Sequence, residues 1–162
     1  MMVWVEDIHQ TLRARGATVA TAESLTGGRL AALLTATPGA SDTFRGGFVT
    51  YAAALKHDLL GVPEEILRGP GVVSAECAVA MATGARAAAG TTYAVSTTGV
   101  AGPGPSDGVP AGRVFIAVAG PTGHHVVPLD LSGTREEIQD LACHHALSEL
   151  AALLHREDWG LE

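Results

Sequence analysis

The stretch with the most chemical content is Thr21-Ala-Glu-Ser-Leu-Thr-Gly-Gly28. A serine just past a strand and just before a helix brings its hydroxyl to the carboxyl edge of a sheet, where open α/β folds bind ligands. Main-chain amides of the turn and of the helix start point the same way and can hold an oxyanion or a phosphate. Ser24 is therefore a candidate nucleophile. The same residues also have a plainer reading, in which Ser24 or Thr26 caps the helix while Gly27 and Gly28 permit a sharp turn.

The elements needed to present such a serine are legible on either side. Val5, Ile8 and Leu12 recur at helical spacing and Gly16 stands where that helix would stop. A strand is expected at Thr18 to Ala22, then the turn, then a helix over RLAALLTA. TPGASDTF reads as a loop and GGFVTY as a short strand with Tyr51 at its end. Ala52 to Leu60 turns helical up to Gly61 and Pro63, PEEIL forms another short helix, and Ser74 caps AECAVAMATGARAAA, which ends at Gly90. TYAVSTTG, RVFIAVAG and HHVVPLDL are strands, the last two joined by a turn short enough for an antiparallel pair. Cys143, Ala146, Leu147, Leu150, Leu153 and Leu154 share one face of a final helix. This order predicts an α/β fold, a three-layer α/β/α sandwich around a mixed, mostly parallel sheet of about five strands. A chain of 162 residues suits a single domain, 1–162.

Composition narrows the classes of partner. The formal charge is −7 and no run of Lys or Arg occurs, which argues against a nucleic-acid partner. No segment is long and apolar enough to span a membrane, and the acids in MMVWVEDIHQ do not suit a signal peptide, so a cytoplasmic location without membrane association is expected. Cys77 and Cys143 both fall in helical segments and are expected as reduced core residues rather than a disulfide. His124-His125 and His144-His145 invite a metal reading. Neighbouring residues diverge on a strand and lie about 100° apart on a helix, so neither pair converges on an ion.

Several further landmarks occur in a particular order: AESLTGG at 22–28, FRGGFVTY at 44–51 with Lys56 five residues on, LGV at 60–62, VS at 73–74, GVAGP at 99–103 and SG-x-R at 132–135. In this arrangement the sequence resembles the C-terminal domain of the competence/damage-inducible CinA family, including its stand-alone nicotinamide-nucleotide amidases. The resemblance implies a serine amidohydrolase that converts nicotinamide mononucleotide to nicotinate mononucleotide and ammonia. Its catalytic set of Ser, Tyr and Lys falls on Ser24, Tyr51 and Lys56. It also implies self-association as a dimer or larger homo-oligomer.

The physical case agrees with that set. A serine hydroxyl needs a base to attack an amide, no histidine is evidently placed for a Ser-His-Asp arrangement, and Ser-Lys pairs are an established alternative. An ordinary lysine titrates near about 10.4, so burial, with help from Tyr51, must lower Lys56 for it to accept a proton. The oxyanion would be held by amides near Thr26, Gly27 and Gly28 or from Thr98 to Val100. For the phosphate of the mononucleotide substrate, Arg45 and the stretch Gly99, Val100, Ala101, Gly102 are preferred, with Arg29, Arg113 and Arg135 behind them. No metal and no cofactor is required. The chain departs from the family at Ala52 to Ala54, at Pro105, Ser106 and Asp107, and at Thr134, where an Asp is common, and these positions bear on substrate choice. Two alternatives remain: a non-catalytic nucleotide- or protein-binding module in which Ser24 only caps a helix, and an amidase for a different small amide.

Overall fold

The computed structural model describes residues 5–158. Met1–Trp4, part of the segment read for a targeting signal, lies outside the described residues. Six helices and five strands run in the order α1 (Val5–Arg15), β1 (Val19–Glu23), α2 (Arg29–Thr35), β2 (Phe44–Val49), α3 (Ala53–Leu60), α4 (Glu64–Arg68), α5 (Ala75–Ala89), β3 (Tyr93–Gly99), β4 (Arg113–Gly120), β5 (Gly123–Asp130) and α6 (Arg135–Asp158). The loop between α2 and β2 contains one 3-10 turn, Ala40–Asp42. Among the described residues, no helix is long and apolar enough to cross a membrane.

The strands form the expected mixed five-stranded sheet, in the order β2-β1-β3-β4-β5. β1 pairs in parallel with β2 and β3, and β3-β4 and β4-β5 pair antiparallel. The chain leaves β1 to build β2 on one side and returns to build β3 on the other. The carboxyl ends of β1, β2 and β3 therefore meet at a topological switch point, where such sheets leave a crevice.

The two faces of the sheet are packed with side chains of different size, which accounts for the many alanines. Toward α1, α2 and α6 the strands present Tyr93, Val95, Val114, Ile116 and Val118, against Leu12, Leu30, Leu147 and Leu150. Toward α5 the alternate positions are Ala94, Ala117 and Ala119, against Ala78, Ala82, Ala85 and Met81. Period-two alternation of large and small side chains lets α5 lie close to the sheet while α6 stands off. The face expected on the final helix, Cys143 through Leu154, is buried, and both cysteines are buried and unbridged.

The close seat of α5 also positions α3. A methyl group added at Gly84 would lie 1.9 Å from the Leu60 carbonyl oxygen at the end of α3. Alanine normally favours a helix interior over glycine by about 1 kcal/mol. A collision with main chain outweighs that preference, because backbone cannot yield as a side-chain tip can. Gly84→Ala is expected to lower stability by about 2–3 kcal/mol, read as a lower urea midpoint at unchanged slope.

Candidate active site

β1 ends at Glu23, and the next residue is Ser24. Its amide donates to the Thr97 carbonyl at 3.1 Å, continuing the β1-β3 pairing one step beyond the strand. On the other side the Thr50 amide donates to the Glu23 carbonyl at 2.9 Å. The chain at position 24 is thus held between two neighbouring strands when it turns toward α2. Gln139 of α6 fastens the turn from outside, its Nε2 donating to the Leu25 carbonyl at 2.9 Å.

The turn itself is organised by Glu23. Its fully buried carboxylate accepts from the amides of Gly28 (3.2 Å), Leu30 (2.8 Å) and Ala31 (3.1 Å) and from the Thr26 hydroxyl (2.7 Å). Four donors and the positive end of a helix stabilise a carboxylate that has no basic partner among the described residues. This corrects the capping expectation for Ser24 and Thr26: the residue that closes the start of α2 is Glu23. An acid five residues upstream of the helix boundary does not look like a cap in sequence, because it stands outside the N-cap position and reaches the helix only through the turn between them. An acid closing the otherwise uncharged strand VATAE was the available signal.

The same arrangement removes Thr26, Gly27 and Gly28 from the ligand-contact set. The Thr26 hydroxyl pairs with Glu23 and Thr97, the Gly27 amide donates to the Ser24 carbonyl, and the Gly28 amide is taken by Glu23. None of the three lines the cavity beside Ser24. Gly28, with φ near +102°, supplies the left-handed step that starts α2.

Lys56 lies on α3, with only 1% of its surface exposed. Its Nζ sits 2.9 Å from Ser24 Oγ, 2.6 Å from the Thr50 carbonyl and 3.2 Å from the Tyr51 carbonyl. Among the described residues no carboxylate is within ion-pair distance of it. An ammonium could donate to all three oxygens; in the neutral form two N–H groups donate to the carbonyls and the lone pair accepts from the Ser24 hydroxyl. Burial pushes Lys56 below its ordinary value of 10.5. The opposing influence is Cys77, but burial pushes that thiol up to about 11, so near neutrality it carries no charge to hold an ammonium.

Tyr51 differs from expectation. It contacts Lys56 only through its main chain, while its ring is 60% exposed and its hydroxyl accepts from Arg135 Nη2 at 3.0 Å. Arg135 Nη1 also donates to the Gly102 carbonyl at 2.7 Å. Thr134 caps α6 just before it. The Thr134 hydroxyl accepts from the Glu137 amide, and the Glu137 carboxylate accepts from the Thr134 amide, a reciprocal capping box that sets Arg135 at the first position of α6.

These groups surround a cavity of about 430 Å³, within the usual range for small-molecule sites. Ser24, Lys56, Tyr51, Thr98, Gly99, Ala101, Gly102 and Arg135 line it, with Ala53, Val72 and Val73 as an apolar wall. The Val100 amide is spent on the Arg113 carbonyl. Among the described residues, the amides of Leu25, Ala101 and Gly102 have no protein acceptor. Arg45 is not part of the cavity. It stands at the start of β2, about 20 Å along the chain direction from Tyr51, and its Nε donates to the Ala89 carbonyl. Arg113 is occupied by Asp130, and Arg29 donates to the Thr26 carbonyl, which leaves Arg135 as the arginine on the cavity. A second, more open depression of about 620 Å³ is lined by Ile66, Val79 and His124 among others, away from Ser24. Among the described residues, no group of His, Cys, Asp and Glu is placed to hold a metal ion.

Comparison with known proteins agrees with this architecture. The sequence model of the CinA C-terminal domain matches residues 3–154. A CinA-like protein of Frankia casuarinae is 47% identical over 140 residues, covering 86% of this chain and 32% of that protein. One from Synechococcus sp. is 53% identical over 115 residues, covering 70% and 28%. The chain thus spans about a third of the length of the curated relatives it matches. Among solved structures, a CinA superfamily protein of Klebsiella pneumoniae superposes with a TM-score of 0.90 at 33% identity, covering 94% of this chain and 96% of that one. One from Escherichia coli gives 0.89 at 34% identity, covering 92% and 87%. The chain belongs to the CinA C-terminal domain family.

Proposed function

We propose that this domain is a serine amidohydrolase acting on the carboxamide of nicotinamide mononucleotide. The observation that carries the reading is the 2.9 Å contact between Ser24 Oγ and a buried Lys56 amine that has two carbonyls to donate to and no carboxylate to keep it charged. A capping serine needs no such partner.

In the proposed reaction, the Ser24 hydroxyl passes its proton to Lys56 as Oγ attacks the carboxamide carbon, giving a tetrahedral oxyanion. The free amides of Leu25, Ala101 and Gly102 are the nearby donors for that oxygen. Collapse breaks the C–N bond, and the Lys56 ammonium supplies the proton with which ammonia departs. Water then attacks the acyl-serine, Lys56 accepting its proton and returning one to Ser24. No metal or cofactor takes part. The apolar wall of Ala53, Val72 and Val73 suits a pyridine ring, and Arg135, already donating to Gly102 and Tyr51, has further N–H groups for the phosphate. Tyr51 has a positioning role through that arginine.

Ser24→Ala is expected to abolish ammonia release while leaving the circular dichroism spectrum unchanged; continued turnover would remove Ser24 from the mechanism. Only the neutral amine accepts a proton, so kcat/KM should rise with pH and level off with an apparent pKa below the ordinary lysine value of 10.5. Lys56→Met should lose that limb and fall on the order of a thousandfold in rate, whereas a wild-type profile flat in pH speaks against Lys56 as the base. Arg135→Ala should raise KM for the mononucleotide roughly tenfold or more, with no matching loss toward the phosphate-free nucleoside. Equal losses on both would place the phosphate elsewhere.

A further inference from the structure

The loop from Val100 to Gly112 is rich in Gly and Pro, yet it is closed at two levels. At its base the Val100 amide donates to the Arg113 carbonyl and the Gly112 amide to the Val100 carbonyl, at 3.0 and 2.7 Å. At its tip Ser106 and Val109 exchange both main-chain hydrogen bonds, at 3.0 and 2.9 Å. The two residues between them, Asp107 and Gly108, have φ of 49° and 76°. Two consecutive positive φ values define the tight turn that suits a two-residue hairpin. Asp107, the only residue other than glycine with positive φ among those described, is thus held on a small rigid hairpin and lines the same cavity as Ser24.

Its carboxylate has no hydrogen-bond or ion-pair partner among the described residues, unlike Asp130, which pairs with Arg113. Among the described residues Asp107 is the only acid lining the cavity, where Arg135 is the only arginine and burial disfavours the charged form of Lys56. The turn does not demand this charge, since Asn-Gly serves the same hairpin as well as Asp-Gly. With Arg135 alone the cavity would attract any phosphorylated amide. An added anion raises the relative affinity of a ligand that carries a cation as well as a phosphate.

We propose that Asp107 is a specificity-determining residue that selects substrates bearing a positive charge on the ring next to the amide, that is, N-substituted pyridinium carboxamides. The inference rests on the amidohydrolase reading of the site and adds the ring charge as the feature distinguished. Arg135 and Asp107 together then match a zwitterion, and a neutral-ring amide of the same shape loses the second interaction.

The probes are nicotinamide mononucleotide and its reduced dihydropyridine form, which keeps amide, ribose and phosphate but lacks the ring charge. Binding of each is measured by calorimetry to Ser24→Ala, which prevents turnover, and to the same protein carrying Asp107→Asn, which retains the turn. The expected result is a preference for the charged ring of about fivefold with Asp107 present and close to none with Asn. Equal weakening of both ligands by Asp107→Asn, an unchanged preference, or no binding of either overturns the proposal. Ammonia release by the wild-type chain is assayed alongside. Charge-selective binding without ammonia supports the role of Asp107 and sinks hydrolysis alone, whereas ammonia release without charge-selective binding sinks the role of Asp107 alone.

Discussion

A primary amine with 1% of its surface exposed and no carboxylate in reach is an expensive object to bury as a cation. The protein meets that constraint by surrounding Lys56 Nζ with two carbonyls and one hydroxyl, the set a neutral amine can satisfy without a net charge. The carbonyls belong to Thr50 and Tyr51, immediately before α3, so the lysine folds back over the start of its own helix. That contact ties the segment before α3 to the helix, at whose start Ala52 has no side-chain cap to offer. Lys56 is therefore a structural tie between the end of β2 and α3.

The rest of the architecture serves to keep that amine against Ser24. Parallel pairing of β1 with both β2 and β3 brings three strand ends together, and main-chain hydrogen bonds from Ser24 and Thr50 extend the pairing past the strands. Glu23 and Ser24 are adjacent and act in opposite directions. The carboxylate turns inward to gather the amides of α2, and the hydroxyl turns outward to the cavity. Small side chains along α5 let it approach the sheet closely enough for α3 to rest on it, with Gly84 against Leu60. The alanine content seen in the composition is thus a requirement of spacing.

Charge around the cavity is sparse in an acidic chain, and each charged group there is held. Arg135 is set by the capping box at the start of α6 and by its bonds to Gly102 and Tyr51. Asp107 is set by a two-residue hairpin. Both lie at positions on or beside which the chain departs from its family resemblance, Thr134 in one case and the 105–107 stretch in the other. The departures leave the Ser24–Lys56 contact untouched and alter only what surrounds it.

Much of this was determined by the sequence alone. The helices and strands follow from periodicity and from Gly, Pro and Ser punctuation, because those signals are local. The buried face of α6 and the caps at Ser74 and Gly90 needed nothing beyond spacing. Ser24 stood out as a candidate nucleophile from its setting between strand and helix, whereas Tyr51 and Lys56 could be singled out only through a resemblance in the order of motifs. Tertiary structure decided what depends on how the chain folds back on itself. Glu23 rather than Ser24 or Thr26 closes α2, because its carboxylate is folded back beneath the helix start. Arg135 rather than Arg45 faces the cavity, because β2 carries residue 45 to the far end of the sheet from residue 51. The two carbonyls around Lys56 come from the residues just past β2 and the hydroxyl from the residue just past β1. No spacing along the chain encodes their convergence within hydrogen-bond distance, since only the register of three strands brings it about.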